Sequence, residues 1–112
     1  MLVDEALRSQ EHPLVVFRDG PAGRRARLIG GPDVWEVVRA VRSARAAEPD
    51  LDPDDVVGLV EQTSGVPVHL IRAGIEYWAD HPAEIDAWTT RAEAETAAAE
   101  ERWRREQGLL AR

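Results

Sequence analysis

Apolar positions along this chain recur at two different periods, and the change between them divides it. Leu2, Ala6 and Leu7 suit one face of a short N-terminal helical turn. After Pro13 the period shortens. Leu14–Arg18 and Arg24–Ile29 flank the turn Asp19-Gly20-Pro21-Ala22-Gly23, which predicts a β-hairpin. In its second strand Arg25 and Arg27 alternate with Ala26 and Leu28, one charged face against one apolar face.

Helical spacing takes over past Gly30-Gly31-Pro32. Val34, Val37, Val38, Val41 and Ala44 predict an amphipathic helix over 34–47. Asp33 is placed as its N-cap, with Glu36 to complete a capping box. Trp35 lies beside the stripe and can cover the hairpin, while Arg39, Arg42 and Arg45 line a solvated face. Asp52 and Pro53 open a second helix with Val56, Leu59 and Val60 inward. A turn at Thr63-Ser64-Gly65-Val66 and a restart at Pro67 lead into a third. Its stripe is Val68, Ile71, Ile75 and Trp78, with Leu70, Gly74 and Tyr77 on an adjacent strip. The last two helices outline a helix-turn-helix. After His81-Pro82, residues 83–107 have strong helix composition and a sparse stripe of Ile85, Trp88, Ala92, Ala99 and Trp103. A helix of that length overhangs a small domain.

The charge pattern changes what the helix-turn-helix can mean. Residues 1–47 hold eight Arg against six acids, residues 48–100 two Arg against thirteen acids, and residues 101–112 four Arg against two acids. A DNA-binding surface needs a basic footprint. The helix-turn-helix falls in the acidic block, which points to a protein partner. The hairpin arginines Arg24, Arg25 and Arg27, joined by Arg18, are the best nucleic-acid candidates, since a two-stranded ribbon can enter a major groove. The plain alternative is a solvated strand face. On the third helix only Arg72 could reach a phosphate, and Glu76 and Asp80 would repel one.

Candidate chemistry is sparse. Asp50, Asp52, Asp54 and Glu61 have calcium-loop spacing, but Asp55 stands where that loop needs glycine and helix capping explains the acids better. His12, His69 and His81 lie far apart and match no zinc spacing. Asp80 and Glu84 could share a pocket, although acids at a helix start commonly serve its dipole. No nucleophile elbow or phosphate loop is present, so the chain reads as a non-enzyme without cofactor or metal. Without cysteine, signal-peptide pattern or an apolar run of spanning length, it reads as soluble and cytoplasmic, with no membrane contact. At the C-terminal end Arg102, Trp103, Arg104, Arg105, Leu109, Leu110 and Arg112 read as an interaction segment, with Trp88 as a further anchor. The plain alternative is a frayed helix end.

Residues 14–88 carry a family resemblance. Its most telling pieces are Leu28-Ile29-Gly30-Gly31-Pro32-Asp33-Val34-Trp35 and the run from Ile75 to Ile85, IEYWADHPAEI. Together they resemble a small homeodomain-like domain of unknown function that occurs beside PIN-type ribonuclease toxins and is grouped with VapB-like antitoxins. The commoner family version has Gly-Thr-Arg-Ile at 30–33. The resemblance implies a mainly α fold with three parts. Residues 1–31 form an N-terminal segment and pairing hairpin, 32–81 a three-helix homeodomain-like bundle, and 82–112 a long partner-binding helix and tail. It implies a homodimer that binds a PIN-like toxin, with operator DNA as a further partner of the complex, for which Arg24, Arg25, Arg27 and Arg72 are the candidates the charge pattern offers. PIN ribonucleases hold Mg²⁺ in a cluster of acids. Arg102, Arg104 or Arg105 would be the plug, and Trp88, Trp103, Leu109 and Leu110 the anchors. Two other readings stay open: a stand-alone helix-turn-helix regulator, and a structural adaptor whose long helix pairs with itself or another helix.

Overall fold

The computed structural model describes residues 2–112. The elements run α1 (Leu2–Glu11), β1 (Val15–Gly20), β2 (Gly23–Leu28), α2 (Val34–Ala47), α3 (Pro53–Ser64), α4 (Val68–Asp80) and α5 (Pro82–Leu110). The fold is mainly helical, with one antiparallel hairpin ahead of the bundle.

The hairpin pairs Val15 with Leu28 through to Gly20 with Gly23, so only Pro21 and Ala22 lie in the turn. Gly23 has φ 123°, a conformation an L side chain rarely adopts. Period-two alternation puts Val15, Ala26 and Leu28 in the core with Phe17 partly buried beside them. The same alternation separates the hairpin arginines. Arg24 shares the core-side face with Ala26 and Leu28, whereas Arg18, Arg25 and Arg27 lie on the outer face.

Helix α2 buries Val34, Val37, Val38 and Ala44. Asp33 holds the N-cap position with extended backbone, but its side chain makes no cap bond, so the capping box with Glu36 does not form. Its carboxylate is taken by Arg25 Nε at 2.7 Å and by the Trp35 indole N–H at 3.3 Å. The expected solvated arginine face is also engaged. Arg39 stacks 4.8 Å from the Trp35 ring centre, Arg42 lies over Trp78 and 3.0 Å from Asp86, and Arg45 donates to the carbonyls of Pro49 and Leu51.

Helix α3 starts at Pro53, buries Val56, Val57 and Val60, and ends at left-handed Gly65. Leu59, expected inward, is only partly buried, and Val57 takes the core position instead. Glu61 accepts a hydrogen bond from the Val68 N–H, capping α4 from the preceding helix. Helix α4 turns its adjacent strip inward: Leu70, Ile71, Gly74 and Tyr77 are buried, while Val68, Ile75 and Trp78 are half-buried. Gly74 allows this rotation. A Cβ there would stand 3.2 Å from Val37 Cγ1, so the missing side chain lets α2 and α4 close together.

Among the described side chains of α1, no apolar one is buried against the body. Ala6 and Leu7 are exposed, and the side chains of Leu2 and Val3 lie outside the described residues. Polar contacts described below hold it. Helix α5 buries Ile85 and Thr89, and every side chain from residue 93 onward is exposed. The Cα radius of gyration is 16.8 Å, against about 13 Å for a compact chain of this length. The excess is the projecting half of α5. No helix is long and apolar enough to cross a membrane among the described residues.

Candidate functional site

Three surfaces collect the residues with chemical potential, and they differ in how far their groups are already satisfied. On the hairpin, Arg24 forks onto Glu5 with Nε and Nη2 at 2.5 and 2.8 Å and reaches Asp19 at 3.1 Å. That bond, with the charge behind it, holds the Glu5 carboxyl below its ordinary range. Arg25 is paired with Asp33. Arg27 Nε donates to the Gly31 carbonyl at 2.9 Å. On α4, Arg72 reaches Asp54 at 2.7 Å. The four arginines that are candidates for a DNA phosphate therefore all have partners within the chain. Arg18 is exposed and makes no ion pair among the described residues.

The second surface is a buried polar cluster at the meeting of α1, α4 and α5. Tyr77 has no exposed surface; its hydroxyl donates to Glu84 at 2.8 Å and accepts from Arg8 Nη1 at 3.1 Å. Arg8 also pairs directly with Glu84. Burial, then the bond to Glu84, raises the Tyr77 pKa above its ordinary value. His12 is buried, with Nε2 2.8 Å from Asp80 Oδ2. Its ring lies edge-on to Tyr77 at 5.0 Å and to His81 at 6.0 Å between centres.

The sequence places His12 and His81 far apart; the fold brings them together. The signal in the chain was two helix ends, each with histidine before proline, His12-Pro13 and His81-Pro82. Glu84 and Asp80 share this region, yet each serves a different partner. Oxygen and nitrogen atoms of Glu11, His12 and Asp80 approach within 4.8 Å. The His12–Asp80 hydrogen bond by itself accounts for most of that approach. The cluster ties α1, α4 and α5 together through these bonds.

The third surface is α5 itself. Near its base Trp88 is half-buried, with the Arg91 guanidinium 5.8 Å from its ring centre and Arg91 Nη1 donating to the Ala22 carbonyl at the hairpin turn. Trp88 thus seals α5 onto the body. Trp35, Trp88, Ala92, Arg91, Glu95 and Arg25 wall a groove of about 250 Å³ beside it. Farther out Trp103 is 60% exposed, Leu109 87% and Leu110 78%. Arg104 and Arg105 share Glu101 at 3.8 and 3.6 Å, separations that contribute little at an exposed site. Arg102 makes no ion pair among the described residues. Of the seven side chains expected to anchor a toxin, Trp88 is committed to the body. Trp103, Arg102, Arg104, Arg105, Leu109 and Leu110 all stand free of it. Compared with protein-family models, curated proteins and solved structures, the chain matches none.

Proposed function

We propose that this chain is the antitoxin of a type II pair. In this reading a homeodomain-like body of α2, α3 and α4 carries α5 as an arm that neutralises a PIN-like ribonuclease. The observation that carries it is the arm: a 29-residue helix whose side chains from residue 93 onward are all exposed. Exposed aromatic and arginine residues on one projecting element are characteristic interface anchors. Trp103 supplies apolar area, and Arg102, Arg104 and Arg105 supply cations that can pair bidentately with the acids of a nuclease centre. The acidic body can face a basic RNA-binding surface of the toxin.

DNA contact, if it accompanies the complex, falls to the outer hairpin face at Arg18, which is exposed and makes no ion pair among the described residues. Helix α4 is poorly suited to it, because Arg72 is paired with Asp54 and Glu76 and Asp80 add negative charge. A stand-alone regulator would need that helix.

The test is co-expression with the protein encoded beside this chain, read as growth rescue and co-purification. The antitoxin reading expects the neighbour to be toxic alone and to be neutralised and bound by the full chain. It expects Arg104→Glu with Arg105→Glu to lose the rescue. Failure of the full chain to bind or rescue would overturn it.

A further inference from the structure

The core-facing side of α5 continues past the body as a stripe of Ala92, Thr96, Ala99, Trp103, Gln107 and Leu110. At about 100° per residue these six fall within about 80° of one another. Below Ala92 the same side carries Ile85, Trp88 and Thr89 against the bundle. Beyond Ala92 the stripe has no cover.

We infer that the stripe is the pairing surface for a second copy of α5, running antiparallel about a two-fold axis near Glu101. About that axis Ala99 faces Trp103 and Ala92 faces Leu110 of the second copy, Thr96 falls within one residue of Gln107, and each contact occurs twice by symmetry. Small meets large at both apolar steps, as close packing requires, and polar meets polar at the third. A parallel pair would instead set Trp103 on Trp103 and leave gaps at Ala92 and Ala99.

Charge selects the same direction. Residues 93–101 hold four Glu and no Arg, while residues 102–112 hold four Arg and one Glu. Antiparallel pairing lays the acidic half of each arm on the basic half of the other, and Glu100 comes opposite Arg104 on one flank. The other flank is less well matched, because Glu95 approaches Glu106 of the second copy. The overlap from Ala92 to Leu110 is about 27 Å. It ends beside the groove where Trp35, Trp88 and Ala92 lie together with Arg25, Arg91 and Glu95.

This pairing is a property of the chain alone and does not depend on a toxin. Sedimentation equilibrium of the full chain is the test. A reversible dimer is expected, weakened at least about tenfold by Ala99→Glu, which buries a charge against Trp103. Ala99 is exposed in the single chain, so the variant keeps its helical circular dichroism. Glu106→Arg is expected to tighten the dimer by relieving its contact with Glu95. Because the chain has no cysteine, a mixture of Thr96→Cys and Gln107→Cys proteins should form the mixed disulfide in preference to either homodisulfide. A chain that stays monomeric to its solubility limit would overturn the inference. So would a dimer indifferent to Ala99→Glu, or Thr96→Cys chains that cross-link mainly with themselves.

Discussion

Asp33 shows how one side chain can be diverted from the role its position suggests. Its place before an apolar-periodic run marks it as a helix cap, and the backbone there has the extended conformation of one. Yet the carboxylate is 8% exposed and lies within reach of Arg25, an ion whose burial requires a partner more than the helix requires a cap. Asp86 illustrates a different balance. The Arg42 bond first, and the Trp78 indole second, hold its carboxyl below its ordinary range, as Arg24 does for Glu5. A carboxyl depressed in the folded chain stabilises it at pH values above the unfolded pKa, here 4.5 for Glu5 and 3.8 for Asp86. That contribution is lost as pH falls through the lower folded value. Acid titration of stability should therefore steepen below about pH 4.5. Glu5→Gln should flatten part of that limb while leaving the neutral-pH helical signal unchanged, as followed by circular dichroism. An acid limb identical in Glu5→Gln and the parent chain would count against the Arg24 fork.

At the scale of elements, the hairpin and helices α2 to α5 were legible in the sequence because apolar period and turn chemistry agree there. The register of α4 was not. Two neighbouring strips are both apolar, Val68/Ile71/Ile75/Trp78 and Leu70/Gly74/Tyr77, and periodicity cannot rank them. Packing ranks them through Gly74, which admits Val37. The docking of α1 was illegible for another reason. It rests on pairings of long sequence separation, Arg8 with Glu84 and His12 with Asp80, that leave no periodic trace. Of the candidate site, the exposed apolar residues Trp103, Leu109 and Leu110 of α5 were legible from composition. That Trp88 belongs to the body was not, since nothing local announces the hairpin turn beside it. Two helical glycines separate these effects experimentally. Gly58 has open space around a built Cβ, so Gly58→Ala should stabilise by about 0.5–1 kcal/mol through helix propensity. Gly74→Ala has the same propensity gain available but must displace Val37, and overpacking costs typically about 1–3 kcal/mol. Denaturant midpoints should rise for the first and fall for the second. Equal rises would mean that Gly74 does not set the α2–α4 approach.

Taken whole, the molecule is a small body whose charges are mostly paired within the chain, with an exposed arm. Four of the five arginines that sequence alone would offer to DNA are spent within the body, on Glu5, Asp33, Asp54 and a backbone carbonyl, leaving Arg18. The projecting arm combines high helix propensity with little tertiary support, since only i,i+3 and i,i+4 pairs such as Glu101 with Arg104 and Arg105 reinforce it. Such a helix frays readily on its own and becomes ordered by whatever covers it. A second copy and a toxin would compete for the same stripe, which makes the free arm a quantity set by concentration. Amide hydrogen exchange, on the dilute chain and again with the neighbouring gene product added, addresses this most directly. Fast exchange over residues 93–110 in the dilute chain, slowed strongly in the complex, is the expected result. Protection confined to the hairpin or to α4, with the arm exchanging as before, would contradict the assignment of α5 as the functional surface.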